Sequence, residues 1–288
     1  MQLPEAEFIA NFRLNKAGFQ QVLEELSPFL PKLRRKTGVP NELKILAALN
    51  FYASGSYQRN VGASFLCNMS QPTLSKCLCE VTNALNVKEV LLKHIHFPSS
   101  QREREVIMTD SMEKFQFPGI VGCIDGTHVA LIRSKEHEEA YFNRKNYHSL
   151  NVLIICDSNL NITFVDASFG GASHDSYVWN QCSIKTIMER LDNDTECCWL
   201  LGDSGYAQRP WMMTPILGAA PGTPEQYYTD TVMLEILLKG VLVCSSLEDF
   251  LFCSEVPYNL LSVSRMQLAG YTVIFNSFSK FNGLMRFS

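Results

Sequence analysis

Three aspartates stand where a carboxylate needs a reason. Asp125 interrupts the apolar, β-branched run of residues 119–131, immediately before Gly126. Asp175 follows the glycine-rich turn Gly170-Gly171-Ala172-Ser173-His174 and begins a helical stretch. Asp203 ends a short apolar run and precedes Ser204-Gly205. An Asp at a helix start or strand end has a plain alternative role as a cap or turn former. Asp125 has less of one, because a carboxylate inside an apolar strand is costly unless it is paired or bound to a cation. Clustered carboxylates repel one another, and a hard divalent cation such as Mg²⁺ or Mn²⁺, which takes oxygen ligands, reconciles them. Two such ions side by side are a standard device for in-line phosphodiester cleavage.

For these acids to meet, the chain between them must form a sheet. Residues 119–131, 149–156 and 162–168 read as three strands of an antiparallel meander, with turn signals between them. Residues 175–190 then read as a helix and 197–202 as a fourth strand. That order opens an RNase H-like α/β core, with other α+β orders left open. In an RNase H-like sheet strands one and four are neighbours, so Asp125 and Asp203 would share a cleft with Asp175 near its rim. Residues 1–104 read as helical. Phe19, Val22, Leu23, Leu26 and Leu30 share one face of a helix over 15–30, and Pro40 opens another over 41–53 with Leu43, Ile45, Leu46, Leu49 and Tyr52 inward. A short helix over 58–66, an N-cap-like Asn68-Met69-Ser70 and a longer helix over 71–85 give the outline of a helix-turn-helix. Generic helical packing gives the same pattern.

The 288 residues carry a net charge of −4, which taken alone argues against phosphate contact. The distribution says otherwise: residues 1–104 are net +5, 105–231 net −9 and 232–288 neutral. The basic part coincides with the helices, the acidic part with the candidate cation ligands. None of the ten cysteines forms a CxxC pair or a zinc-type spacing, and several sit in apolar runs, which reads as reduced core cysteine in a cytosolic or nuclear protein. Residues 1–5 lack the basic and apolar regions of a signal peptide, and no apolar run approaches a membrane span.

The sequence Gly122-Cys123-Ile124-Asp125-Gly126-Thr127-His128-Val129 is followed by Tyr141-Phe142-Asn143-Arg144-Lys145 and His148-Ser149-Leu150-Asn151. Then come Gly170-Gly171-Ala172-Ser173-His174-Asp175-Ser176, Leu200-Leu201-Gly202-Asp203-Ser204-Gly205-Tyr206 and Met213-Thr214-Pro215-Ile216. In order and spacing these motifs resemble the PIF/Harbinger transposases and the nucleases derived from them, over roughly residues 13–230. The resemblance implies an α/β protein: a helix-turn-helix-like N-terminal region (1–104), then an RNase H-like DDE nuclease core (105–231). It implies Asp125, Asp175 and Asp203 as metal ligands of a Mg²⁺- or Mn²⁺-dependent enzyme acting on DNA, possession of a DNA-binding partner protein, and a nuclear and cytoplasmic location. It assigns nothing to Arg144 and Lys145, which read equally as phosphate contacts or as a surface turn. His128 and His174 adjoin the acids and read as hydrogen-bonding neighbours rather than ligands, since hard cations prefer oxygen.

The chain departs from this pattern near its end. The family carries a fourth acid, a Glu on a helix, expected near position 240, where this sequence reads Leu237-Leu238-Lys239-Gly240-Val241. Glu235 is the only nearby candidate to replace it, and arrives several residues early, an offset that does not reliably preserve the helix face. Residues 232–288, including Val256-Pro257-Tyr258-Asn259-Leu260-Leu261-Ser262-Val263-Ser264-Arg265-Met266-Gln267, resemble a Copia-type retrotransposon polyprotein between its protease and integrase. The core then reads as truncated at its C-terminal end by a junction near residue 231. Two functions follow: a nuclease impaired by the missing acid, or a non-catalytic DNA-binding remnant.

Overall fold

The computed structural model describes residues 3–33, 38–115, 117–131, 137–230 and Val232, with the backbone of two short strands at 273–275 and 285–287. The described residues form two compact units, one holding the helices up to His94 together with those two strands, the other holding the elements from Gln101 onward to Met213.

In the first unit, α1 (Glu5–Phe12) and α2 (Lys16–Leu26) meet through Phe8, whose ring lies 5.7 Å from that of Phe19. Asn15 caps α2 by accepting the Gly18 N–H at 2.6 Å. The helix expected to reach Leu30 stops at Leu26 and tightens into a 3-10 turn over Ser27–Phe29, because Pro28 has no N–H to continue the ladder. Helix α3 (Asn41–Ser54) differs more. Ten successive residues from Lys44 to Ala53 are buried, so the helix is central rather than one-sided. Its polar members are satisfied inside: Lys44 pairs with Glu80 at 2.8 Å, Asn50 donates to the Asn11 carbonyl at 3.1 Å, and Tyr52 shares a 2.8 Å hydrogen bond with Thr82. α4 (Gln58–Ala63) ends three residues earlier than the pattern predicts, where Ser64 turns extended and its hydroxyl donates to the Val61 carbonyl at 2.8 Å. α5 (Gln71–Leu85) buries Leu74, Cys77, Leu78 and Val81 on one face, and α6 (Lys88–His94) closes onto α2, with Lys93 and His94 both reaching Glu25.

The second unit opens with α7 (Gln101–Phe115), which runs across residue 104. Strand β1 (Ile120–Ala130), helix α8 (Glu138–Tyr141), strands β2 (Ser149–Cys156) and β3 (Ile162–Gly170), helices α9 (Asp175–Gln181) and α10 (Ser183–Asn193), and strands β4 (Trp199–Leu201) and β5 (Met212–Met213) follow. The sheet order is β3-β2-β1-β4-β5, with β2 antiparallel to β3 and β4 parallel to both β1 and β5. Strands one and four are therefore neighbours, as the RNase H-like reading expects. β2 is buried along all eight residues, as an inner strand covered on both faces must be. The single helix expected over 175–190 is two helices, because Cys182 adopts an extended conformation between them. Val178 and Trp179 of α9 and Ile184 and Met188 of α10 cover the sheet through Val121, Leu153 and Leu200. At the entry to β1, Gly119 has φ +75°, and a side chain there would collide with the Trp199 ring. Arg104, 5% exposed, ties α7 to the approach of β4 through a two-pronged bond to Glu196 at 2.6 and 2.7 Å.

Strand β6 (Val273–Phe275) pairs antiparallel with β7 (Met285–Phe287) in a two-stranded sheet separate from the five-stranded one. Cys67, Cys77, Cys123, Cys156, Cys182 and Cys198 are buried free thiols, whereas Cys79 and Cys197 are exposed; Cys244 and Cys253 lie outside the described residues. No helix among the described residues is long and apolar enough to cross a membrane.

Candidate active site

Parallel pairing of β1 and β4 sets Cys123 level with Leu201. Asp125 lies two residues further along β1, and Asp203 lies two residues on, just past the end of β4, so each follows the last paired position by the same step. Asp203 holds its own turn by accepting the Gly205 N–H at 2.9 Å, and Asp125 accepts the Gly126 N–H at 2.8 Å. Asp175 is the first residue of α9. Its Oδ1 fills the space in front of Gly126, where any Cβ would collide with it, so glycine at 126 lets the helix start approach the strand.

The neighbours complete this arrangement. Asn151 of β2, 1% exposed, donates to Asp175 Oδ1 at 2.7 Å and to the Ser173 carbonyl at 2.9 Å. Its own Oδ1 is buried with no hydrogen-bond partner. Burial pushes the Asp125 carboxyl up to about 6, opposed by the Gly126 N–H and reinforced by the charges of Asp203 and Asp175. Tyr206 is buried beside Gly202. Its phenol is driven upward by burial and then by Asp175, Asp125 and Asp203, and its hydroxyl has no partner. One side chain thus feels all three acids.

A second group adjoins the first. Ser149 Oγ lies 3.0 Å from His128 Nδ1 and accepts from Asn143 Nδ2 at 2.7 Å. Asn143, itself buried, accepts the N–H groups of Lys145 at 2.9 Å and Tyr147 at 3.3 Å and so shapes the loop between them. Burial holds His128 below its ordinary value; Asp175 pulls it up, while Lys145 and Arg144 push it down. The two exposed cations of that loop therefore lie within electrostatic reach of the residues around Asp175. His174 is exposed at the N-cap position of α9 and forms no side-chain cap there.

No three His, Cys, Asp or Glu side chains among the described residues stand close enough to hold one metal ion. The acids share a neighbourhood without closing on a point. Their donor chemistry still suits a hard cation: none of the three is paired with a lysine or arginine among the described residues, and an unpartnered amide oxygen stands beside them. Glu235 lies outside the described residues. Neither Asn151 nor Tyr206 stands out in the sequence as a site residue, although both fall inside the motifs. The available signal was a polar amide in an otherwise apolar strand and an aromatic three residues after Asp203.

Residues 124–236 match the family described as DDE superfamily endonuclease. A protein of Bos taurus named "Putative nuclease HARBI1" is 35% identical over 194 residues, which cover 67% of this chain and 53% of that protein. Its Homo sapiens namesake is 34% identical over 195 residues with the same coverage, and "Protein ALP1-like" of Arabidopsis thaliana is 23% identical over 196 residues, covering 63% and 46%. The chain thus spans about half the length of the curated relatives it matches. No solved structure matches.

Proposed function

With a DDE superfamily endonuclease match over its sheet and similarity to a nuclease-named protein, we propose that the chain is a transposase-derived, metal-dependent nuclease acting on DNA through Asp125, Asp175 and Asp203. The observation that carries this reading is that Asp125 on β1 and Asp203 just past β4 each follow the last paired position of these neighbouring parallel strands by two residues, with Asp175 packed over Gly126. Asp125, Asp175 and Asp203 would hold Mg²⁺ or Mn²⁺. A bound cation would supply the positive charge that activates an attacking oxygen and stabilises the leaving one. The chain's own residues set the geometry: Gly126 admits Asp175, Asn151 orients it, and Gly205 fixes Asp203. Arg144 and Lys145, exposed beside this group, would contact the phosphate backbone and fix its register. The test is plasmid nicking by purified protein with Mg²⁺ or Mn²⁺. Nicking is expected in the wild type and absent in Asp125→Asn; cleavage that survives the substitution overturns the assignment.

A second reading is a non-catalytic DNA-binding remnant, favoured by Gly240 where the resemblance places a fourth acid. On that reading α4 and α5 act as the helix-turn-helix, and duplex DNA is bound without being cut. In either case the partners are DNA and a DNA-binding protein, and the location is nuclear and cytoplasmic. The segment from residue 232 is read as a Copia-like intruder joined near residue 231. A transcript running unbroken across residues 225–240 would support that junction, and one restoring a helix with a Glu near 240 would remove the reason for impairment.

A further inference from the structure

Asn151 carries more of the site than its place in a buried strand requires. Both of its amide hydrogens are used, on Asp175 Oδ1 at 2.7 Å and on the Ser173 carbonyl at 2.9 Å. Its carbonyl oxygen is buried and unpaired. That oxygen stands 3.1 Å from where a Cβ on Gly126 would lie, against the same point that Asp175 occupies and one residue from Asp125. A buried amide oxygen without a donor is unfavourable, so a ligand that meets it there gains from doing so. Asp175 and Asp125 lie in the same neighbourhood, with Asp203 in electrostatic reach of both Asp125 and Tyr206, and a further hydrogen-bond acceptor there is of no use to the acids themselves. A hard cation, which seeks neutral as well as charged oxygens, answers both needs.

We propose that Asn151 Oδ1 is a neutral oxygen donor to the divalent cation, added to the three aspartates, while its amide hydrogens hold Asp175 in place. This rests on the metal-dependent reading above and enlarges its ligand set. With Asn151 included, the site gathers four oxygen-bearing side chains from β1, β2, the start of α9 and the end of β4, without drawing on any residue beyond Asp203.

The experiment is Mn²⁺ titration of the purified full-length protein, followed by calorimetry and by the electron-paramagnetic-resonance signal of free Mn²⁺, with circular dichroism of each variant. Asn151→Asp keeps an oxygen and loses the donors to Asp175, whereas Asn151→Leu keeps the volume and loses both. Asn151→Leu is expected to bind Mn²⁺ about tenfold or more weakly, and Asn151→Asp to bind at wild-type strength or tighter. A merely structural Asn151 would make the two variants fall together, because both lack the hydrogens that orient Asp175, and that result overturns the proposal. So does an unchanged affinity in Asn151→Leu. Should Asn151→Leu fail to fold, Asn151→Asp decides alone: a tenfold loss overturns the proposal and retained binding supports it. A wild type that binds no Mn²⁺ overturns the metal-dependent reading itself, which keeps the two failures distinct.

Discussion

At Asp125 the sheet holds a carboxylate whose charge it does not favour. Burial and two neighbouring acids raise its carboxyl from an ordinary value near 3.8 to about 6. A folded value above the unfolded one means that ionisation works against folding, with the full penalty present above about pH 6 and none below about pH 4. Asp125→Asn is therefore expected to stabilise the cation-free protein at pH 7 by about 1–2 kcal/mol. Thermal melting in a chelator checks this, and a lower melting temperature would count against the site's electrostatics. Gly126→Ala makes the complementary case. The added methyl meets Asp175 Oδ1, so the substitution is expected to abolish metal-dependent nicking and to cost about 1–3 kcal/mol, while circular dichroism stays that of a folded protein. Nicking at the wild-type rate would remove Gly126 from the site. Asp125 was legible in the sequence because a charge in an apolar strand is anomalous by itself. Asn151 was not, because an amide in a strand is unremarkable until its partners are known. Tyr206 was hidden for the same reason, since nothing in its type announces a hydroxyl left unpaired among three acids.

Elements follow the sequence where one interaction dominates and depart from it where tertiary contacts do. The inner strands β1, β2 and β4 fall close to the apolar runs, since an inner sheet strand must be apolar on both faces. Helix α3 departs, because periodicity identifies an inward face but gives no sign that other helices cover the outward one; Lys44 and Asn50 look solvent-facing until Glu80 and the Asn11 carbonyl are in place. The break at Cys182 escapes the pattern too, having no proline or glycine to mark it. The start of α7 is carried by local chemistry that the sequence does spell out, Ser100-Gln101-Arg102-Glu103. Glu103 accepts the N–H groups of Ser99 at 2.8 Å and Ser100 at 2.9 Å, while Ser100 Oγ accepts the Glu103 N–H at 3.3 Å. Those two backbone donors hold the Glu103 carboxyl down to about 2. A depressed folded value contributes stability above the unfolded value of about 4.5 and loses it as the pH falls toward 2. Glu103→Ala is expected to cost about 1 kcal/mol at pH 7, or about 2–4 °C in melting temperature. The gap to wild type should narrow as the pH drops from about 4 toward 2, and a gap independent of pH would mean that the carboxylate is not the cap.

Across the whole molecule the charge is divided, and the division constrains how a protein of net −4 could hold DNA. Residues 1–104 carry the positive excess of +5, residues 105–231 the deficit of −9, so approach to a polyanion must be led by the helices and resisted around the acids. Arg59 and Lys76 are exposed on α4 and α5, the latter at 78%, and Lys76 lies 3.9 Å from Glu80, too loosely paired to be withheld from a phosphate. Arg34, Arg35 and Lys36 lie outside the described residues. This much was legible from charges alone; which cations share a face was not, because only the packing of α3, α4 and α5 decides it. A helical part that neutralises about five phosphates gives a slope of about −4.5 for log affinity against log salt. Duplex binding by the full chain is then expected to weaken about 10²–10³-fold between 50 and 200 mM salt, and Arg59→Glu or Lys76→Glu to flatten the slope by about one each. The same measurement, taken together with nicking, separates the two functional readings. Steep salt dependence with metal-dependent nicking fits the nuclease, and steep dependence without nicking fits the remnant. A flat slope would mean that the basic helices do not carry the DNA, which the remnant reading does not survive.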